Sequence, residues 1–462
     1  MKYSIKFIIA LVTFINIQSY CFSQHDTLTV MAYNVLHYGD GCQGSFAHLD
    51  SNLKIIIQYA NPDIFGMVKS QPIKSSASDP NGYSPINLQD SIILYALDAA
   101  YPGRYACTPI SFTNEGFDKD MDLLFYNQNK LGYVSTTLLC NLEEIFSLYK
   151  LYYKDPNLST TMDTTFLHII LNHTVSGSVP NGPISRDHQD SLIVNSLKAM
   201  YSHLPNVISM GDFNTHSSDE AGYILMTQTT DTSFLFHDPP FSPDNKLSYP
   251  ISWETATQAL PYLNTATRFT DLPNGCGSSG GAKDWYLHMF LSGWIINNYD
   301  YIKYVPNSYK TLGNDGNRGG ISINDSTTVG KNLSAPSNVI NALYQFSDKY
   351  PILSKLAVTY NTTGKSPAYP INTTATVPYT EAQNLIRINN PIQNNTIDIH
   401  FASSLNGQAA TMSLYDLSGK LIQSQSYSIS STEMNFPFNL NPGMYVLSIQ
   451  TSTNSFSSRI IR

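Results

Sequence analysis

The chain has 462 residues, more than one domain of average size uses, and 42% of them are hydrophobic, enough for a packed core. Only 13% are charged and 31 are tyrosines, a balance more typical of a β-rich extracellular protein than of a charged cytosolic one. The formal net charge of −8 argues against a tight nucleic-acid-binding surface, because such surfaces usually carry a basic face that displaces phosphate counterions. One large domain and one small domain fit this length best.

Residues 1–23 predict a secretory signal peptide. Lys2 and Lys6 precede a largely apolar run from Phe7 to Ile17. The triplet Cys21-Phe22-Ser23 then places small residues at the cleavage site. A buried N-terminal helix is the alternative, which this pattern at the extreme N-terminus disfavours. No later apolar run approaches the about 20 residues needed to span a bilayer, so we expect no transmembrane segment in the mature protein.

Removal of the signal peptide leaves four cysteines, Cys42, Cys107, Cys140 and Cys276. In an oxidising compartment four cysteines allow three pairings, and the sequence does not choose between them. Their spacing contains no CxxC, so a zinc site is not expected.

The first part of the chain predicts strands and helices in alternation. Thr27–Asn34 alternates as a strand does, Leu49–Tyr59 has apolar residues at helical spacing, and Ile64–Val68 is a short apolar run. Further predicted elements are strands at Leu123–Tyr126, Thr165–Leu171 and Asn206–Met210 and a helix at Ser191–His203. This interleaving predicts a layered α/β domain with packed sheets.

The composition changes after residue 358. Residues 359–383 are rich in Thr, Pro and Asn and almost free of charge, as linkers are. Asn384–Arg462 then predicts a small antiparallel β-sandwich. Its expected strands include Ile397–Phe401, Ala410–Tyr415 and Gly443–Ile449.

Three segments of this tail carry a resemblance to a known family. They are Asn390-Pro391, Leu414–Lys420 and Leu440–Leu447, and a basic segment ends the chain. The tail resembles a type IX secretion system (type A) sorting domain. The resemblance implies a secreted or cell-surface protein that the type IX machinery exports across an outer membrane, usually with removal of the tail. A carbohydrate-binding sandwich is the alternative, and it is disfavoured because no aromatic stacking platform is evident. Whether the product stays anchored or is released is open.

The larger domain also resembles a known family. Six segments occur in its order: Val30–Asn34, Pro62–Lys69, Leu171–Gly177, Val207–Asn214, Leu287–Ser292 and Ser347–Pro351. Met210–Asn214 is the most specific of them. Residues 26–358 resemble the endonuclease/exonuclease/phosphatase family. The resemblance implies a DNase I-like fold, a four-layer α/β sandwich of two β-sheets flanked by helices. It also implies metal-dependent hydrolysis of phosphodiesters or phosphomonoesters.

Five positions match the family's functional residues. Asn34, Asp212 and Asp348 stand where the resemblance implies metal ligands. Asn34, His173 and Asn214 stand where it implies contacts with the substrate. His173, Asp212, Asn214 and Asp348 are the implied catalytic residues that this sequence retains.

Three further positions depart from the family. Lys69 replaces the expected metal-binding Glu, and Lys349 replaces the expected base His. Leu287 replaces the Asp that would orient that base. Metal-assisted hydrolysis needs oxygen ligands and a proton acceptor, neither of which a cationic lysine supplies. The sequence therefore predicts a degenerate phosphodiesterase without a metal cofactor that retains a pocket for a phosphorylated or anionic ligand.

Two alternatives stay open. One is an active secreted phosphodiesterase or nuclease, dependent on Mg²⁺ or Mn²⁺, whose ligands have relocated to residues such as Asp284, Asp122 or Glu115. The other is a surface-binding or adhesive protein that uses the insertions Lys74–Pro85 and Gln228–Leu263.

Other candidates carry weaker signals. His168 and His188 are lone histidines, expected on the surface or satisfied in the core. His288 falls on the wrong face of its strand for the site. Gly275–Gly281 has the glycine content of a phosphate cradle, but it lacks the Lys-Ser/Thr ending and the helix of a P-loop. We expect a flexible loop near the mouth of the site.

Overall fold

The computed structural model describes residues 25–38, 42–71, 73–76, 79–109, 111–112, 120–142, 144–177, 180–272, 275–364, 386–388, 396–415, 421–438, 444–451 and 455–461. The predicted signal peptide and most of the predicted linker lie outside these residues. The chain divides into two compact units, Met1–Tyr369 and Pro370–Arg462. Among the described helices, none is both long enough and apolar enough to cross a membrane.

Sixteen strands and eight α-helices are described in the first unit. The strands are β1 (His25–Tyr38), β2 (Ile64–Ser70), β3 (Ile73–Ser76), β4 (Asp79–Ser84), β5 (Tyr105–Cys107), β6 (Ser111–Phe112), β7 (Met121–Asn127), β8 (Leu131–Leu142), β9 (Glu144–Tyr153), β10 (Phe166–His173), β11 (Val207–Asp212), β12 (Phe236–His237), β13 (Leu287–Ser292), β14 (Ile302–Tyr304), β15 (Lys310–Thr311) and β16 (Ile352–Thr359). The helices are α1 (Phe46–Ala60), α2 (Pro85–Ile92), α3 (Asp98–Ala100), α4 (Leu158–Thr161), α5 (Asn181–Met200), α6 (Ala221–Thr227), α7 (Gly293–Asn297) and α8 (Ser337–Phe346). A π-helical turn, Ile93–Leu97, and a 3-10 helix, Thr257–Tyr262, complete the unit.

Two mixed sheets form the centre of this unit. The first has eight strands in the order β14-β16-β1-β2-β7-β5, with β15 on β16 and β6 on β7. The second has six strands in the order β12-β13-β11-β10-β9-β8. The pairs β1/β2 and β10/β11 are parallel, and every other pairing in these two sheets is antiparallel.

The two sheets pack face to face. A Cβ at Gly66 of β2 would collide with the side chains of Leu171 on β10 and Met210 on β11, so a glycine at this point lets the sheets approach. On the outer face of the first sheet, Tyr33 of β1 packs against Phe346 of α8 with 5.3 Å between ring centroids. Helix α5 covers the second sheet through its buried apolar residues and contacts β8. These layers confirm the predicted four-layer α/β sandwich.

Local sequence explains the positions of these elements. Every residue of β1 from Val30 to Leu36 is buried, as expected of a strand in the middle of packed layers. Ser45 caps α1 by accepting a hydrogen bond from the His48 N–H, and Asn61 ends it in a left-handed conformation. Helix α5 begins ten residues before Ser191, where the sequence predicts its start. The prediction begins late because the first half of the helix is polar and shows no apolar periodicity.

The second unit is all β. Its strands are β17 (Ile386–Ile388), β18 (Thr396–Phe401), β19 (Ala409–Tyr415), β20 (Leu421–Ser428), β21 (Glu433–Pro437), β22 (Met444–Thr451) and β23 (Ser455–Ile461). They form two antiparallel sheets, β17-β18-β21 and β20-β19-β22-β23. Apolar residues of both sheets, such as Ile399 and Leu447, share one core. The predicted antiparallel β-sandwich is confirmed.

Candidate functional site

The sequence-predicted site residues meet at one cavity of about 350 Å³ in the first unit. Seven of the eight named positions line it: Asn34, Lys69, His173, Asp212, Asn214, Asp348 and Lys349. The remaining lining residues are Ser176, Gly177, His216, Gly277, Ser278 and Tyr286. The eighth position, Leu287, is fully buried on β13 opposite Asp212 and lies outside the lining.

Strand order brings these residues together. His173 lies opposite Asp212 at the ends of the parallel strands β10 and β11. Asn34 of β1 lies opposite Val68 of β2, and Lys69 follows directly. Because the carboxyl ends of parallel strands meet at one edge of a sheet, both sheets deliver polar side chains to the same end of the sandwich.

A buried hydrogen bond joins the two sheets at the cavity. Asn34 Nδ2 donates to Asp212 Oδ2 at 2.7 Å. The other oxygen, Asp212 Oδ1, accepts the Asn214 N–H at 3.0 Å. Ser347 Oγ donates to the carbonyl of Asn34 at 2.7 Å. Both oxygens of the Asp212 carboxylate are therefore bonded to donors of the protein itself.

Asn214 ties the end of β11 to the end of β10. Its backbone is left-handed, with φ of 48°, a conformation that asparagine tolerates better than most residues. Its side-chain Nδ2 donates to the carbonyl of Thr174 at 2.7 Å.

Asp348 and Lys349 form a buried ion pair. Lys349 Nζ donates to Asp348 Oδ2 at 2.8 Å, and the Ser278 N–H donates to the same oxygen at 2.7 Å. Burial would raise the pKa of Asp348, but the positive charges of Lys349 and Lys69 and these hydrogen bonds lower it to about 2. Burial would lower the pKa of Lys349, but Asp348 and Asp212 raise it above its ordinary value. Lys349 is thus cationic at neutral pH and has no lone pair with which to accept a proton.

The glycine-rich loop lies directly over this pair. A Cβ at Gly277, whose φ is 81°, would crowd Leu36 and Asp348, so only glycine fits there. Lys349 Nζ also donates to Ser278 Oγ at 3.1 Å. A disulfide joins the neighbouring Cys276 to Cys42, with 6.1 Å between the Cα atoms. Hydrogen bonds and a covalent link therefore hold the segment that the sequence predicts as a flexible loop.

Lys69 has an unusual backbone and an uncommitted side chain. Its φ of 60° places a long-chain residue in the left-handed region, which such residues rarely adopt away from functional sites. It is half-buried and lines the cavity. Within the part of the chain that the structure describes, its ammonium group makes no hydrogen bond or ion pair. Its charge lowers the pKa of Asp348 and of Asp120.

His173 lies between two carboxylates that sequence reasoning missed. His173 Nδ1 is 3.2 Å from Asp120 Oδ2 and 3.8 Å from Glu144 Oε1. Burial would lower the pKa of His173, but contact with Asp120 and the charge of Glu144 raise it. Burial would raise the pKa of Asp120, but the contact with His173 lowers it. The raised pKa of His173 and the lowered pKa of Asp120 favour an imidazolium ion paired with a carboxylate. The sequence signal for an acidic partner of His173 is the pair of acidic residues Asp120 and Asp122 at the start of β7.

The magnesium site that the family resemblance implies does not fit these residues. Both oxygens of Asp212 accept protein hydrogen bonds, and Asp348 is bonded to Lys349 and Ser278. Lys69 adds a positive charge where a carboxylate ligand is expected. Two other groups bring three ligand atoms within 4.8 Å of one another: Asp120, Glu144 and His173, and His216, Glu254 and Asp284.

The other candidate residues lie outside the cavity lining. His288 is fully buried with its Nδ1 2.9 Å from Asp238 Oδ2. Burial and the charge of Lys150 lower the pKa of His168 to about 4, which marks a neutral core histidine. His188 is exposed. Asp122 is buried, and burial, followed by the charges of Glu144 and Asp120, raises its pKa well above the ordinary value. Glu115 lies outside the described residues.

Comparisons with solved structures find likenesses at low identity. A functionally unknown conserved protein from Enterococcus faecalis V583 is 13% identical, with a TM-score of 0.42 over 72% of this chain and 100% of its own. The human Nocturnin catalytic domain is 12% identical, with a TM-score of 0.41 over 73% of this chain and 98% of its own. A mannosyl-6-phosphatase from Bacteroides thetaiotaomicron VPI-5482 is 15% identical, with a TM-score of 0.41 over 71% of this chain and 99% of its own. Likenesses at this level assign neither substrate nor activity to this chain.

Sequence comparison identifies the tail. No curated protein matches the chain in sequence. Residues 390–462 match the family described as the secretion system C-terminal sorting domain. The C-terminal unit therefore carries a sorting domain that directs the protein to export.

Proposed function

We propose that this exported protein binds an anionic, phosphate-bearing ligand in the cavity and does not hydrolyse it with a metal. The observation that carries the proposal is Lys69, which lines the cavity and whose ammonium group has no hydrogen bond or ion pair to any described residue. An ammonium group is a strong donor to phosphate oxygens. The left-handed backbone of Lys69 is the kind of unfavourable conformation that persists where function requires it.

The rest of the cavity suits an anion of limited size. His173 adds a second cationic group, because Asp120 and Glu144 raise its pKa. Tyr286 also lines the cavity and stays protonated, since burial and the charge of Asp284 raise its pKa. A volume of about 350 Å³ is at the small end of ligand pockets, which favours a phosphate ester on a small group over a long polymer.

The same residues oppose hydrolysis. A divalent cation beside Lys69 would meet repulsion, and the Asp212 carboxylate is already bonded on both oxygens. Lys349 carries a proton where a general base must accept one. Leu287 offers no carboxylate to orient a base. Without a metal or a base, water is not activated for attack on phosphorus.

Calorimetry tests the binding claim. The mature wild type, titrated with inorganic phosphate and with a small phosphate monoester in the presence of EDTA, should bind both. Lys69→Gln should weaken binding about 10- to 100-fold, since a hydrogen bond to a charged group contributes about 1.5–3 kcal/mol. Lys303→Gln is the matched control, because Lys303 is exposed on β14 and outside the cavity. Equal affinity of Lys69→Gln and wild type would contradict the proposal.

A turnover assay tests the claim about hydrolysis. A chromogenic phosphodiester with Mg²⁺ or Mn²⁺ should not be hydrolysed by the wild type. Activity that appears only in the triple variant Lys69→Glu, Lys349→His, Leu287→Asp would support a degenerate site. Metal-dependent turnover by the wild type that Asp212→Ala abolishes would instead establish an active enzyme.

A further inference from the structure

A second group of polar side chains lies at the edge of the same cavity. His216 lines the cavity, and its ring, one carboxylate oxygen of Glu254 and one of Asp284 all lie within 4.8 Å of one another. None of the five retained family positions belongs to this group. Asp284 is one of the relocated ligands that the sequence suggests, whereas His216 and Glu254 come from the loops after β11.

One oxygen of the Asp284 carboxylate has no partner among the described residues, although the carboxylate also lies near the Glu254 carboxylate and the Tyr286 hydroxyl. Asp284 is 5% exposed, and its Oδ1 is buried without a hydrogen-bond partner in the described part of the chain. A buried acceptor without a donor costs free energy, so such an atom calls for an explanation. Lys283 and Lys349 are near enough to act on Asp284 electrostatically, but neither forms an ion pair with it within the described ranges.

The backbone fixes all three residues. The Trp253 N–H donates to the carbonyl of His216 at 3.4 Å, and its Nε1 donates to the carbonyl of Thr215 at 2.8 Å, which places Glu254 beside the imidazole. Asp284 exchanges backbone hydrogen bonds with Thr265 at 3.0 and 3.1 Å.

A side-chain contact orients the imidazole as well. The Tyr286 hydroxyl lies 3.3 Å from His216 Nδ1. Partners that orient a ligating histidine are a regular part of metal sites, because they fix the direction of its lone pair.

We propose that His216, Glu254 and Asp284 bind a divalent transition-metal ion at the edge of the cavity. Donor atoms about 2.1 Å from an ion lie at most about 4.2 Å from one another, so small side-chain rotations close the observed spacing around a cation. One imidazole with two carboxylates suits Zn²⁺ or Mn²⁺ better than Mg²⁺, which prefers oxygen ligands alone. Because only His216 of the three residues lines the cavity, the ion lies at its edge. This site does not depend on anion binding through Lys69.

Metal titration of the full mature chain tests the site. Zn²⁺ and Mn²⁺, titrated separately into the metal-free protein, should each bind at one site by calorimetry and raise the melting temperature. His216→Gln, Asp284→Asn and Glu254→Gln should each lower the affinity at least tenfold. Glu254 is exposed, so Glu254→Gln keeps the test valid if a change at the buried Asp284 prevents folding.

Two controls show whether the metal binds at these three residues. Asp120→Asn alters the other three-ligand group and should leave the affinity for Zn²⁺ and Mn²⁺ unchanged. Affinity that is lost in Asp120→Asn but kept in Glu254→Gln and His216→Gln would overturn the proposal, as would no binding of either ion. Phosphate binding in EDTA should be the same for wild type and Glu254→Gln. A failure of metal binding is thereby distinguished from a failure of the anion pocket.

Discussion

Lys349 Nζ lies 2.8 Å from Asp348 Oδ2 although the two residues are adjacent in the chain, and their side chains are only 6% and 1% exposed. Adjacent residues of a regular strand point to opposite faces, but this pair lies between α8 and β16, where the backbone is irregular. Both side chains therefore reach the same cavity. The site balances its own charge at this point, so it needs no bound cation to neutralise Asp348.

Breaking this pair should destabilise the first unit strongly. Lys349→Met leaves the Asp348 carboxylate buried without its counter-charge, which costs about 3–5 kcal/mol. Replacing both partners, as Asp348→Leu with Lys349→Met, should cost less than the single change. Urea unfolding measures the free energy of unfolding of the single and the double variant. Lys355→Met, at an exposed lysine of β16, is the control and should change stability by less than about 0.5 kcal/mol. If Lys349→Met is as stable as the control Lys355→Met, the ion pair contributes nothing to stability.

The stability contributed by Asp348 should disappear in acid. Its folded pKa of about 2 lies below the ordinary value of 3.8, so its contribution is present above about pH 4 and is lost as the pH falls through about 2. A shift of this size corresponds to roughly 2 kcal/mol. Urea unfolding at pH 7, 4 and 2.5 should show a smaller acid loss for the double variant than for the wild type. Equal losses in the two proteins would refute the assignment.

Much of the fold could be predicted because its central elements have strong local patterns. The segment of β1 alternates as a strand does, β11 follows a short strand pattern, and α1 has apolar residues at helical spacing. Local patterns do not predict the hairpin β8–β9, because β8 lies at a sheet edge and mixes Ser and Thr with its apolar residues. The first half of α5 is polar, so apolar spacing does not predict it.

Local sequence patterns likewise predict only part of the candidate site. Asn34 and Asp212 could be predicted to meet because each lies at the end of a predicted central strand. Asp120 and Glu144 could not, since their contact with His173 depends on the register of β7 and β9 in two different sheets. The carboxylate pair Glu254 and Asp284 depends on long loops, whose paths local patterns do not predict.

Removing the disulfide should loosen the glycine-rich loop. The double change Cys42→Ser, Cys276→Ser should lower the free energy of unfolding by about 2–4 kcal/mol, because the bond closes a long segment of chain. Hydrogen exchange of the Ser278 amide, which donates to Asp348, should accelerate. Cys107→Ser alters a cysteine outside this disulfide and should leave that exchange rate unchanged. Unaltered exchange at Ser278 in the double variant would mean that hydrogen bonds alone hold the loop.

Deleting Asn384–Arg462 should trap the protein in the periplasm. The deletion removes the segment that matches the sorting domain but leaves the first unit, which has its own hydrophobic core. Immunoblots of periplasm, cell surface and medium would locate the product in a host with the secretion machinery. Asp212→Ala keeps the tail and should reach the outside normally. Undiminished export of the truncated chain would count against a sorting role.

His173 should titrate above the ordinary histidine value of about 6.5, because Asp120 and Glu144 outweigh its burial. In Asp120→Asn the strongest of these contacts is lost, so burial and the charge of Lys69 should bring the pKa down. NMR titration of the ring resonances, assigned with His173→Gln, measures both values, and Glu144→Gln should give a smaller decrease.

The affinity for phosphate should depend on the protonation state of His173. The affinity of the wild type for phosphate should fall as the pH rises through the pKa of His173, because an imidazolium attracts the anion and a neutral ring does not. In Asp120→Asn this fall should begin at a lower pH. Calorimetric titrations with inorganic phosphate across pH 5 to 9 would measure it, with corrections for the phosphate's own ionisation near pH 7. A wild-type His173 that titrates at or below 6.5, or phosphate affinities with the same pH profile in both proteins, would remove His173 from the proposed anion pocket and leave Lys69 as its main cation.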